Sequence, residues 1–234
     1  MDKIFKTEGK IINGINVFMT EDELEENNRK FSKSYNKIAP FYDLSGKIFF
    51  WLKFGGEYKF RNESLKYIKV NDNDLVLETS VGTAADLHYM NKNAKYFGVD
   101  ISQGMLKRAL RNIKKWDINA ELVLCEAEKL PFNDNIFDVT FSVGGFNYYS
   151  NKEKAINEMI RVSKPGKKIF IVDETEKTVK NVYKNVPGRN LYNVENATMP
   201  INLIPKEMKN IEGKIINKGY FYIVSFEKPM ENEM

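Results

Sequence analysis

From Asp74 onward the chain alternates short apolar runs with longer segments whose apolar positions recur every three to four residues. The runs predict strands over 74–79, 95–100, 120–125, 137–143 and 167–173. The longer periodicity predicts helices at about 84–92, 102–116, 151–163 and 174–185. In the second of these, Met105, Ala109, Ile113 and Trp116 recur at i, i+4, i+8 and i+11, one apolar stripe to lay on a sheet. Such alternation implies a mostly parallel sheet covered on both faces. After an Asn- and Pro-containing loop over 185–206, the segments KIINK and GYFYIVSFEK, joined around Gly219, predict an antiparallel strand pair closing that sheet.

The first part of the chain is patterned differently. In GKIINGINVF, residues 9–18, Asn13-Gly14 lies between two short apolar runs and predicts a type I′ hairpin. Thr20 and Glu23 form a capping-box pair, predicting a helix that runs to about Ile38 before Pro40. Residues 41–69 are rich in aromatic side chains, with Gly55-Gly56 as a break and helical spacing of Phe60, Ser64, Leu65 and Ile68 beyond it. Two roles stand open for Ile48, Phe49, Phe50, Trp51 and Leu52: packing over the core, or a lid over an apolar substrate. The expected organisation is an N-terminal extension and helical cap over 1–69, followed by one compact unit over 70–234. Together they make a doubly wound, seven-stranded α/β sheet.

Composition narrows the function classes. The 234 residues are 42% hydrophobic and 29% charged, an ordinary globular balance, and 13% aromatic, enough to line an apolar pocket. A net charge of +4 with basic and acidic residues interleaved is too mild to imply nucleic acid. The single cysteine, Cys125, leaves no intrachain disulfide or cysteine-cluster metal site, and the single histidine, His88, argues against a histidine-rich metal centre or a serine triad. No metal site is expected. No apolar run approaches the ~18 residues that span a bilayer, and the N-terminus lacks a signal-peptide core, so a cytoplasmic chain without stable membrane insertion is expected.

In an open parallel sheet, ligands bind beyond the carboxyl ends of the strands, and those ends carry the candidate chemistry. The first strand ends at Glu78 and Thr79 and runs into Ser80-Val81-Gly82-Thr83-Ala84, small residues that let backbone N–H groups and the N-terminus of the following helix approach a ligand. The second ends at Asp100, which can accept both hydroxyls of a ribose or simply serve the cap at Ser102. Around the third end, Glu126 and the Ala127 N–H can pair with an exocyclic amine and a ring nitrogen. The fourth runs through Ser142 and Val143 into Gly144-Gly145 and then Phe146, Asn147, Tyr148 and Tyr149, a polar and aromatic patch at the pocket mouth or an ordinary surface loop.

The series VLETSVGTA, YFGVDISQGML, CEAEKLPFNDNIFD and INEMIRVSKPGKKIFIVDE resembles the class I S-adenosylmethionine-dependent methyltransferases, in the branch of the ubiquinone/menaquinone C-methyltransferases. The likeness spans residues 31–175, and the upstream FSKSYNKIAPFYD shares it. It implies that Glu78 through Ala84 hold the methionine end of S-adenosylmethionine, with Asp100 on the ribose. It also implies that Ile101 flanks the adenine, with Glu126 and Ala127 near its edge. Ser142 and Val143 would line the floor near the sulfonium, Met105 would complete the cofactor site, and Tyr35 and Tyr42 would fold over it. The product would be S-adenosylhomocysteine.

This chain departs from the family pattern in two places. Ser80-x-Gly82-x-Ala84 stands where G-x-G-x-G is usual, and GGFNYY stands where quinone methyltransferases carry an arginine-asparagine pair. The N/D-P-P-Y segment of nucleic-acid methyltransferases is absent. The expected activity is methyl transfer to a small, partly apolar acceptor by a monomer or homodimer. Trp51, Asn147 and Tyr148 are the substrate-side candidates, and Tyr148, Tyr149 and Asp173 are weak candidates for a general base. Two alternatives stand beside it: an NAD(P)-dependent oxidoreductase, which wants G-x-G-x-x-G where only Gly82 is present, and a catalytically inactive binding or regulatory protein on the same sheet.

Overall fold

A computed structural model describes residues 4–182 and 197–230 of the chain. The last three positions of the helix expected at 174–185, and most of the loop expected at 185–206, lie outside the described residues. Five parallel strands appear close to their expected places: β3 (Leu75–Thr79), β4 (Lys95–Asp100), β5 (Ala120–Leu124), β6 (Val139–Val143) and β7 (Lys168–Glu174). The terminal pair β8 (Lys209–Ile216) and β9 (Phe221–Glu227) is antiparallel, β9 lying against β7.

The sheet has nine strands rather than seven, in the order β1-β2-β5-β4-β3-β6-β7-β9-β8. The two extra strands are the Asn13-Gly14 hairpin, β1 (Lys10–Ile12) and β2 (Ile15–Val17), with both turn residues at positive φ. Strand β2 pairs in parallel with β5, Ile15 opposite Leu122, and buries Ile15 in the core. The hairpin therefore covers an edge that would otherwise expose unpaired backbone groups. The extension expected over 1–69 thus has two parts, of which only the second is a helical cap.

That cap comprises α1 (Glu26–Ile38), α2 (Tyr42–Phe54) and α3 (Glu57–Leu65). The Thr20–Glu23 capping box forms, Glu23 Oε2 accepting from the Thr20 N–H at 2.6 Å, but it caps a single 3-10 turn. The chain then extends at Leu24, which is buried, and α1 begins only at Glu26. Helix α2 ends on Gly55 at φ +76, a left-handed position that glycine occupies without strain.

The cap is joined to the sheet by side-chain hydrogen bonds. Ser32 Oγ donates to Ile101 O at 3.0 Å, and Asn36 Oδ1 accepts from Ser102 Oγ at 2.8 Å and the Gly104 N–H at 2.7 Å. Asn36 thereby satisfies an orphan donor in the first turn of α4 (Gln103–Trp116) while Ser102 Oγ takes the Met105 N–H. The stripe on α4 is realised: Met105, Ala109 and Ile113 are buried, and Trp116 stacks on His88 with ring centroids 4.5 Å apart. Helix α5 (Lys152–Val162) is capped by Asn151, whose side chain accepts from the Lys154 N–H, and α6 is a short Glu176–Asn181.

The helix expected at 84–92 does not form. The segment after β3 is a series of turns with one 3-10 turn at Leu87–Tyr89, and His88 lies there rather than on an α-helix. Ser80 at φ +63, Gly82 at φ +53 and Ala84 at φ +61 interrupt the helical run, and Asp86 is tied to Arg61 of α3. Local helix propensity yields to these tertiary anchors. A ligand at this corner meets backbone N–H groups and side chains, with no helix dipole behind them.

Candidate active site

The carboxyl ends of β3 to β6 and the underside of α1–α3 enclose a cavity of about 430 Å³. At its floor Asp100 is fixed by two backbone donors, the Gly82 N–H to Oδ2 at 2.9 Å and the Ser102 N–H to Oδ1 at 2.8 Å. Each oxygen keeps lone-pair capacity for a ligand hydroxyl. Burial raises the Asp100 pKa to about 6, and the two N–H bonds partly offset that rise.

Of the residues read from the sequence, Ser80, Gly82, Asp100, Ile101, Met105, Ala127 and Val143 line the cavity from the sheet side, and Tyr42, Tyr148 and Tyr149 line it from above and beside. Tyr35 lies edge-on to Tyr42, ring centroids 6.2 Å apart, and both roof the cavity. Ser80 is more than a tolerated substitution: its Oγ is 2.6 Å from the Tyr149 hydroxyl. That hydroxyl also donates to Thr79 Oγ1 at 3.0 Å and lies 3.2 Å from Ser142 Oγ, so Thr79 and Ser142 act from behind the wall.

Several expected residues are elsewhere. Glu78 is fully buried behind the turn, neither oxygen meets a hydrogen-bond partner among the described residues, and burial together with the nearby Asp86 pushes its pKa well above the ordinary carboxylate range. Glu126 turns away to hold the cap, accepting from Asn28 Nδ2 at 2.8 Å and the Glu25 N–H at 3.1 Å. Glu128, two residues on, lines the cavity in its place, and burial raises its pKa. Asn147 is buried and spent on structure: its N–H donates to Asp173, its Nδ2 to Glu174 O, and its Oδ1 accepts from the Tyr222 hydroxyl. Asp173, with a pKa lifted to about 6 by burial, sits behind Asn147 and does not line the cavity. Trp51 faces outward from α2 and is absent from the lining.

Phe60 and Arg61 of the cap and Phe221 at the far end of the chain carry no site role in the sequence reading, and they join Phe49 and Phe50 of the aromatic run at the cavity. Phe50 stacks on Phe60 at 4.4 Å, Phe60 meets Phe221 edge-on at 4.8 Å, and all three line the cavity, as does Phe49. Arg61 bridges Glu57 at 3.2 Å and Asp86 at 2.5 Å, setting a buried cation beside Glu78. The Glu57–Arg61 spacing of four was the one available signal, and it looks like any surface helix pair. Of the two readings of the aromatic run, Phe49 and Phe50 both pack on the core and line the cavity.

In an open, doubly wound sheet, an acid on the second strand end and a small-residue turn on the first stand where ligands bind, beyond the carboxyl ends of the strands. A family model described as a methyltransferase domain matches residues 71–222. A demethylmenaquinone methyltransferase of Listeria welshimeri is 31% identical over 176 residues, which cover 73% of this chain and 68% of that protein. Among solved structures, a S-adenosylmethionine-dependent methyltransferase of Aquifex aeolicus aligns with a TM-score of 0.57 at 21% identity, over 71% of this chain and 88% of that one. Another from Thermotoga maritima aligns with a TM-score of 0.61 at 18% identity, over 83% and 99%. At these identities the two structures speak for the fold alone. The chain belongs to the methyltransferase domain family and is a methyltransferase.

Proposed function

We propose that this enzyme methylates a small, lipophilic aromatic acceptor of the quinol type. The observation that carries the reading is the continuity of one cavity from Asp100 at the sheet to the aromatic wall of Phe49, Phe50, Phe60 and Phe221. The name demethylmenaquinone methyltransferase, borne by the Listeria relative, supports a ring of this kind. Ser80, Gly82, Asp100, Ile101, Met105, Ala127 and Val143 are the residues we assign to the cofactor. The two backbone-anchored oxygens of Asp100 fit a ribose diol, and Ile101 and Ala127 leave an apolar slot suited to a purine. When bound, S-adenosylmethionine supplies a methyl group already activated on a sulfonium.

The protein's task is then alignment and exclusion of water. Tyr35 and Tyr42 close the cavity from α1 and α2, and the phenylalanine wall favours a flat apolar ring through burial and edge contacts. Tyr148 donates to Glu174 Oε2 at 2.7 Å, and burial pushes both its pKa and that of Tyr149 above the ordinary phenol range. Both phenols therefore keep their protons at neutral pH and act as donors or positioning groups. Of the carboxyl groups that line the cavity, Asp100 is assigned to the ribose, Glu57 and Asp86 are held by Arg61 and Asp43 by Arg108, so Glu128 and Glu174 are the groups placed to take a proton from a ring hydroxyl. Helices α1–α3 serve as the lid of the unit.

Thermal unfolding with S-adenosylhomocysteine, followed by incubation with S-adenosylmethionine and a short-chain 1,4-naphthoquinol, tests the reading. Expected are stabilisation by S-adenosylhomocysteine but not by NADH, and a product heavier by one methylene. Stabilisation by NADH alone would move the assignment to the oxidoreductases. A panel in which only polar acceptors are methylated would overturn the apolar-acceptor reading.

A further inference from the structure

Helix α2 is apolar on two faces. Phe49, Phe50 and Phe54 turn inward, while Phe41 at the helix start is 70% exposed, Leu44 63%, Ile48 53%, Trp51 70% and Leu52 66%. These five fall at i, i+3, i+7, i+10 and i+11, a single outward stripe. A helix apolar all round belongs in an interior, and contiguous exposed apolar patches mark interaction surfaces. Among the described residues, nothing covers this stripe.

Among the exposed residues of α2 itself the charges have one sign. Lys47 and Lys53 on α2, Lys37 on α1 and Lys59 on α3 are exposed, whereas the acid of the helix, Asp43, turns inward to Arg108 Nε at 2.7 Å and Asn112 Nδ2 at 3.2 Å. Two copies meeting through this face would bring their lysines together, whereas an anionic bilayer complements them. At 13 residues, about 20 Å, the helix is too short to span a bilayer, but its tryptophan, leucine and lysine content suits one lying in the interface.

We propose that the outer face of α2 docks on an anionic membrane, so that an acceptor dissolved in the lipid passes to the chamber walled by the inner face of the same helix. The proposal rests on the lipophilic-acceptor reading and specifies where such an acceptor is collected. It makes α2 a partition with lipid on one side and the aromatic chamber on the other.

The test uses the full chain carrying Trp116→Phe, which leaves Trp51 as the fluorescent reporter, with vesicles of phosphatidylcholine alone or with added phosphatidylglycerol. Expected are sedimentation with the anionic vesicles, a blue shift of Trp51 emission, and its quenching by lipid brominated in the upper acyl chain. Leu44→Glu with Ile48→Glu, both outward-facing, should lower vesicle partitioning by about tenfold or more, with S-adenosylhomocysteine affinity and melting temperature retained. Absence of binding to the anionic vesicles, or equal binding by the double variant, would overturn the proposal. So would a dimer in light scattering that the double variant dissociates, since the stripe would then be a self-association surface. S-adenosylhomocysteine binding is read separately: its failure in the native chain would sink the methyl-transfer reading, whereas loss of vesicle binding alone sinks only the docking.

Discussion

Replacing Asp100 by alanine should weaken S-adenosylhomocysteine binding by at least about tenfold and remove the acid limb of its pH dependence. Each carboxylate oxygen already holds one backbone N–H, from Gly82 and from Ser102, and each keeps capacity for a ligand. A hydrogen bond to a charged group nets about 1.5–3 kcal/mol, so the loss of even one corresponds to ~10-fold to ~100-fold in affinity. Burial raises the Asp100 pKa from the ordinary 3.8 to about 6. The folded state therefore binds this proton more tightly than the unfolded chain. The stability that the group contributes is present below about pH 4 and is lost as the pH rises through about 6, a cost of about 3 kcal/mol at neutral pH. A ligand donating to the ionised carboxylate lowers that pKa again. If it returns to ~4 in the complex, affinity falls about tenfold between about pH 7 and about pH 5. Isothermal titration calorimetry at the two pH values, on native protein and on the variant, reads both effects. Equal affinity of the two proteins at neutral pH, or a native affinity flat with pH, would refute the assignment of Asp100.

Other expectations follow from individual contacts. A methyl group added at Gly145 would lie 2.4 Å from Ser80 Cβ and 2.5 Å from its Oγ, so Gly145→Ala should cost about 1–3 kcal/mol in urea unfolding, and Ser80→Gly in the same chain should restore most of it. Additive losses in the double variant would show that the two positions do not share space. Arg61→Ala leaves Asp86 and Glu57 without their buried cation and should destabilise by about 3–5 kcal/mol; a loss below about 1 kcal/mol would mean the pair is hydrated. Tyr148→Phe should lower stability through the lost bond to Glu174 yet leave kcat within a few-fold, because this phenol stays protonated. A collapse of kcat with stability intact would restore Tyr148 as a proton-transfer group.

The parallel core was legible because strand runs and the α4 stripe are local signals that packing reinforces. Two features were not. Residues 84–92 have a helical pattern, but the turn conformation at Ser80, Gly82 and Ala84 and the Arg61–Asp86 bond are fixed by the assembled site, 25 residues apart in the chain for the latter pair. The Asn13-Gly14 turn announced a hairpin, but its pairing with β5 joins segments more than a hundred residues apart. The same holds within the site. Asp100, Ile101 and Ala127 stand at strand ends, where topology dictates the position. Glu126 and Glu128 share one loop and both accept from Asn28 Nδ2 of the cap, yet only Glu128 lines the cavity, a difference that their spacing in the chain does not reveal. Ser80 and Ala84, which stand where glycine is usual, both adopt positive φ, a costly conformation for non-glycine residues, and Ser80 Oγ is bonded to the Tyr149 hydroxyl.

The electron density of a S-adenosylhomocysteine complex decides whether one cavity joins a cofactor corner to an apolar acceptor chamber. Both ribose hydroxyls within hydrogen-bonding distance of Asp100, and the sulfur turned toward the open space beneath Phe49 and Phe50, are the expected result. Ligand density elsewhere, or a sulfur walled off from the aromatic chamber, would contradict it.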